Sequence, residues 1–133
     1  MDAVSWAVDV FGDACLGDER RTSRLVQLAA TIVDGPERSM STNLGSEAAN
    51  KAAQRFFGND GFDYEDIIAP VCDHTVSKFT QLKRVLLIQD TTHLNYDSHL
   101  ATTGLGHIGS TSDKSFQGVM MHWTLAVDGE VSR

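Results

Sequence analysis

The chain has only two cysteines, Cys15 and Cys72, and no C-x-x-C spacing. That excludes a disulfide framework and offers no zinc pattern, because both need several cysteines at regular intervals. The two thiols are expected in separate helices as small buried apolar side chains. No run of about 18 apolar residues occurs, so no membrane-spanning helix is expected. The amino terminus, Met1-Asp2-Ala3-Val4-Ser5-Trp6, lacks the basic and apolar regions of a secretion signal, and the expected location is cytoplasmic. Basic charge is also scarce: 11 Lys and Arg stand against 18 Asp and Glu, a formal net charge of −7. This is the wrong sign for coating nucleic acid by bulk electrostatics, so any DNA contact must use a local basic face. No nucleophile elbow of the G-x-S-x-G type and no P-loop are present.

What remains is an ordinary globular composition, 41% hydrophobic and 22% charged in 133 residues. That is enough for one domain, or for a small helical domain plus part of another. Val4, Ala7, Val8 and Phe11 recur at helical spacing and predict a helix from Asp2 to Cys15. Asp18 is a natural N-cap for a second helix with the apolar stripe Leu25, Leu28, Ala29, Ile32 and Val33, which stops at Asp34-Gly35-Pro36. Arg20, Arg21 and Arg24 crowd its first two turns, where the helix dipole disfavours cations. A phosphate partner would offset that cost; a solvated face paired with Asp18 and Glu19 is the plainer account.

A polar loop through Ser39, Ser41, Thr42 and Asn43 leads to a helix starting at Ser46, with Ala49, Ala52, Ala53, Phe56 and Phe57 inward and Gly58 after its end. Glu47 and Lys51 form a favourably oriented i,i+4 pair, and Lys51 and Arg55 make a second basic pair off the apolar stripe. Asp63 opens a further helix, with a kink or break expected near Ala69 because Pro70 lies too far in to be an N1 proline. The domain boundary is placed at 61/62, the long helix belonging to the second unit or bridging the two.

The architecture then changes to sheet. Val85-Leu86-Leu87-Ile88 reads as a strand buried on both faces that ends at Asp90, a carboxylate fixed where open sheets place ligand and metal sites. The plainer alternative is that Asp90 starts a turn with Thr91 and Thr92. Thr91 to Phe116 is expected as a long polar loop. Its Gly104-Leu105-Gly106-His107-Ile108-Gly109 matches G-x-G-x-x-G formally, but no hydrophobic strand precedes it and no apolar-periodic helix follows, so it is not read as a dinucleotide site. Val119 to Val127 reads as a second strand, closed by the hairpin signal Asp128-Gly129. A returning strand has hardly begun at Arg133, so an incomplete core, a truncated product or fragment, is expected. The exposed half-sheet is then an aggregation hazard. The loop residues His93, His99 and His107 near Asp90 and Asp97 fit no established zinc spacing.

Three blocks in register carry a resemblance: Leu16 to Leu25; Gly45 to Ala49 with Gln54 to Asn59; and Ile88 to Tyr96, with Leu105 to Gly109 and Asp113-Lys114-Ser115 beyond. Together they resemble the amino-terminal third of bacterial cut-and-paste transposases of the transposon-five type, insertion-sequence enzymes of DNA recombination. The resemblance implies an α+β chain: residues 1–61 a helical domain that grips double-stranded transposon-end DNA, residues 62–133 the start of an RNase-H-like core with a DDE triad. Asp90 matches the first catalytic and metal-binding aspartate, for Mg2+ or Mn2+. Arg20, Arg21, Arg24, Lys51 and Arg55 match the DNA-binding positions. Gln54 departs from the tyrosine that relatives carry there. The full-length family cleaves and transfers DNA strands, as a possible homodimer in its DNA complex. This chain, holding one carboxylate of three, is expected to bind end DNA without cleaving it. Two other readings are a stand-alone DNA-binding regulator competing with a full transposase, and a small metal-dependent hydrolase using Asp90 and the loop histidines.

Overall fold

The computed structural model describes residues 1–109 and 116–130. Asp113-Lys114-Ser115 and the returning strand at 131–133 lie outside the described residues. Two compact units, Met1–Gln81 and Leu82–Arg133, make up an α+β chain: helices first, then a small antiparallel sheet. Among the described residues no helix is long and apolar enough to cross a membrane.

The first unit is helical. Helix α1 spans Ala3–Phe11, shorter than expected, because Gly12 caps it and the chain leaves the helix ahead of Cys15. At its start Asp2 accepts hydrogen bonds from the Val4 and Ser5 amides. Helix α2 runs from Glu19 to Asp34 behind its N-cap Asp18, as the stripe predicts. The polar segment that follows is not all loop: Met40–Leu44 form the short helix α3, because the Ser39 hydroxyl accepts from the Thr42 amide and Gly45 takes a left-handed φ of 68° at the other end. Helix α4, Glu47–Phe57, starts at Ser46 and ends at Gly58. Helix α5, Tyr64–Phe79, opens with a capping box between Asp63 and Asp66 and runs unbroken through Pro70, although a proline there removes one backbone donor. It falls in the first unit, packed against α1.

One core serves these helices: Val10, Phe11, Ala14 and Leu16 before α2, Leu25 and Leu28 on it, and Ala53 and Phe56 on α4. Ile67 and Val71 of α5 pack against its rim. The two thiols are outside it. Cys15 and Cys72 are both exposed, contrary to expectation, because Leu16 rather than Cys15 turns inward after α1 and Val71 rather than Cys72 faces the core from α5.

The second unit pairs β1, Val85–Asn95, with β3, Gln117–Asp128, in antiparallel register from Val85 opposite Asp128 to Asn95 opposite Gly118; β2, Gly106–His107, adds two residues on the far side of β3. Two expectations are corrected. First, β1 does not stop at Asp90. Thr91, Thr92 and His93 continue it, since β-branched residues suit a pleated strand and β3 is long enough to pair with all of them. The segment expected as one long loop therefore begins as strand and includes β2. Second, β1 is not buried on both faces: Leu86, Leu87 and Ile88 are 50%, 62% and 51% exposed. Its unit has one full-length neighbouring strand and, among the described residues, no helix to cover either face.

Leu16 is 1% exposed and joins α1, α2 and α4 at the core. Leu16→Ala is expected to lower unfolding stability by about 2–5 kcal/mol, as buried leucine truncations do. Urea titration followed by circular dichroism at 222 nm, a standard helix signal, measures it; a midpoint unchanged from wild type would mean that Leu16 is not the joint described.

Candidate nucleic-acid interface

The turn into α2 sets the site. Gly17 adopts φ 74°, a conformation that favours glycine, and this swings Asp18 into position to cap the helix. The Asp18 carboxylate accepts from the Arg20 amide at 2.8 Å. It also holds the Arg20 guanidinium in a fork, Nη2 to Oδ2 at 2.9 Å and Nε to Oδ1 at 3.2 Å. These bonds, the guanidinium's first and the amide's second, hold the Asp18 carboxyl down to about 2.

The next residue, Arg21, points back toward the body of the unit. Its Nη1 donates to the Leu16 carbonyl at 2.9 Å and to the Gly61 carbonyl at 3.4 Å, joining the turn before α2 to the turn after α4. Gly61 is needed for that approach, because a Cβ there would sit 2.6 Å from Nη1. The Asn59 side chain shapes the same turn by accepting from the Gly61 amide at 2.8 Å.

Arg20, Arg21 and Arg24 from α2 and Arg55 from α4 line a single groove of about 340 Å³. Phe56, Phe62 and Ala52 supply its apolar wall, with the Phe56 and Phe62 ring centroids 4.9 Å apart. The spacing of Arg20 and Arg24, one helical turn, puts both on one side of α2, and the alanine-rich face of α4 lets Arg55 approach. Arg24 and Arg55 are exposed and enter no ion pair among the described residues. Lys51 does not line this groove; its Nζ lies 2.6 Å from Glu47 Oε1, the i,i+4 pair that the sequence predicts. Sequence reasoning missed Gly61 and Asn59. The Asn59-Asp60-Gly61 turn signal was visible, but its closeness to Arg21, forty residues away in the chain, was not.

Asp90 is exposed at the middle of β1, opposite Trp123. Strand alternation puts Leu86, Ile88, Thr92 and Leu94 on its face, with Met121, Trp123 and Leu125 from β3. His93, three residues on, projects from the opposite face, so Asp90 and His93 do not share a site. Asp97 is engaged in the backbone, accepting from the Gln117 amide at 2.7 Å and from Asn95 Nδ2 at 3.0 Å. His107 Nδ1 lies 3.1 Å from the Phe116 carbonyl. Among the described residues, no three His, Cys, Asp or Glu side chains gather to hold a metal.

A comparison with protein families matches residues 3–62 to the model described as transposase DNA-binding. The amino-terminal helices are a transposase DNA-binding region. The match runs from α1 to the turn after α4, and so contains every side chain that lines the arginine groove. The region matched as transposase DNA-binding thus carries a local basic groove on an acidic chain.

Because the folded Asp18 carboxyl is depressed from 3.8 to about 2, its contribution to stability is complete above pH 4 and is lost as pH falls through the folded value. Acid titration of stability should therefore show a limb between pH 4 and pH 2 that is shallower in Asp18→Ser; identical limbs in the two proteins would refute this.

Proposed function

We propose that this chain binds double-stranded DNA at transposon ends, with the α2–α4 groove as the phosphate-gripping surface. The observation that carries the reading is the convergence of Arg20, Arg21, Arg24 and Arg55, from two helices, on one groove within the transposase DNA-binding region. A planar guanidinium matches a phosphate's oxygens with two parallel hydrogen bonds, so a row of arginines suits a DNA backbone better than diffuse positive charge does. Arg24 and Arg55 are the primary phosphate ligands in this reading. Arg21 keeps its Nε and Nη2 for DNA while Nη1 holds the two turns together. Lys51 adds a peripheral contact on the exposed side of α4. Phosphate contacts fix register and orientation; base choice needs groups that reach into a groove of the duplex.

The second unit is, in this proposal, the beginning of an RNase-H-like core with Asp90 as the first of three carboxylates, in a family that uses Mg2+ or Mn2+ for cleavage and transfer, possibly as a homodimer on DNA. A hard cation takes several oxygen ligands, and two-ion phosphodiester chemistry needs several carboxylates. Around Asp90 the described neighbours on its own face are mainly apolar, with the Thr92 hydroxyl as the nearest other oxygen donor in the strand. That donor set does not make a metal site by itself, and no metal-dependent step is assigned to these residues.

Fluorescence anisotropy with duplex from the ends of the chain's own genetic element, beside scrambled duplex, tests the binding reading. Arg24→Ala and Arg55→Ala should each weaken end binding by about tenfold and reduce the slope of log K against log salt by about one, the signature of a lost phosphate contact. Asp90→Ala should bind within about twofold of wild type, because binding and the carboxylate lie in separate units. End binding that is indifferent to both arginines would remove the groove from the interface.

A further inference from the structure

Asp18 is the one acidic side chain among those that line the arginine groove. It caps α2 through the Arg20 amide, as many aspartates do, yet capping needs only one acceptor oxygen and no guanidinium. Here both carboxylate oxygens also engage Arg20, through Nε and Nη2, while the Arg20 side chain is 91% exposed and free of any other ion pair among the described residues. An arginine this accessible, at the mouth of a groove lined by three further arginines, would otherwise be the easiest phosphate contact the surface offers.

We propose that Asp18 is a specificity-determining residue of the interface: it neutralises Arg20 so that the groove does not grip DNA of any sequence, and yields Arg20 only where the other contacts of a correctly seated duplex compensate. This rests on the DNA-binding reading above. The physical basis is that non-specific affinity comes almost wholly from the number of phosphates neutralised, so withholding one arginine lowers background binding more than it lowers binding to the right site. An internal anion that any phosphate must displace acts as a built-in competitor, the repulsive element that selectivity needs beside attraction. Since the carboxyl is held far below the ordinary range, it stays ionised under all conditions in which duplex DNA is handled, and the competition is constant rather than switched by pH.

The test compares wild type, Asp18→Ser, Asp18→Asn, Arg20→Ala and the double variant Asp18→Ser/Arg20→Ala by anisotropy, over a salt series, on end duplex and scrambled duplex. Serine and asparagine cap helices about as well as aspartate, so two variants keep α2 while removing the charge. Release of Arg20 should raise affinity for scrambled duplex by roughly three- to tenfold and steepen its salt slope by about 0.9, one more phosphate, with a smaller gain on end duplex. The double variant should lose the gain on scrambled duplex, because the gain runs through Arg20; a gain kept in full by the double variant would overturn the proposal. Unchanged or weaker scrambled binding in both Asp18 variants, with wild type still binding end duplex, would overturn the proposal and leave the DNA-binding reading standing. Absence of any duplex binding by folded wild type at low salt would overturn that reading and this proposal with it.

Discussion

Among the described residues Leu16 is the most deeply buried large side chain, and the turn that carries it is fastened from several directions. The Thr22 hydroxyl donates to the Ala14 carbonyl at 2.7 Å, Arg21 donates to the Leu16 carbonyl, and Asp18 caps the helix that follows. Because Arg21 also reaches Gly61, one short segment ties the end of α1, the start of α2 and the turn after α4. The apolar side chains of the core supply most of the driving force, but they are not directional. The polar fastenings decide how the helices meet, and so where the arginines stand. If this turn moved, the groove between α2 and α4 would be lost even with the core still packed.

The charge distribution follows from the same arrangement. The chain is acidic overall, yet one groove is lined by four carboxylates and no arginine and another by four arginines and only the Asp18 carboxylate. Asp9, Asp13, Asp66 and Asp73 line the space between α1 and α5, where His74 and Lys78 approach Asp9 at 3.7 Å. The arginines line the space between α2 and α4. At physiological ionic strength salt screens exposed charges from one another beyond about 8 Å, so a local basic surface keeps its character on an acidic molecule. Net charge alone therefore argues weakly against DNA binding here.

In the sheet unit, register has a comparable effect. With Val85 opposite Asp128, β1 and β3 sort their residues into two unlike faces. One carries Leu86, Ile88, Leu94, Val119, Met121, Trp123 and Leu125 around the single carboxylate of Asp90. The other is more polar, with Thr91 Oγ1 2.7 Å from His122 Nδ1 and Gln89 Nε2 3.4 Å from Thr124 Oγ1. A shift of one residue would exchange the faces and remove Asp90 from its apolar surroundings. Pairing over the full length of both strands makes that shift costly.

Much of the helical unit was legible in the sequence because its signals are local. Asp18, Ser46 and Asp63 each cap the helix that they announce, since caps act within a turn of the backbone; of the α2 stripe Leu25 and Leu28 are buried, but Ile32 and Val33 are exposed, because burial depends on what packs against the face. The short helix α3 escaped because a single turn has no periodicity to read, and Cys15 and Cys72 were misplaced because apolar character alone does not say which of two neighbours faces inward. Asp90 was correctly found on a strand, but its extent depended on the length of β3 and its exposure on what covers the sheet. The basic residues of α2 and α4 were nameable from spacing, yet their meeting in one groove, the exclusion of Lys51 from it and the capture of Arg20 by Asp18 were not. By itself the sequence determined where helices begin and which residues carry charge, because those depend on neighbours in the chain. Tertiary structure alone decided which charges stand together, because Arg21 and Gly61, or Arg24 and Arg55, become neighbours only when distant turns pack on a common core.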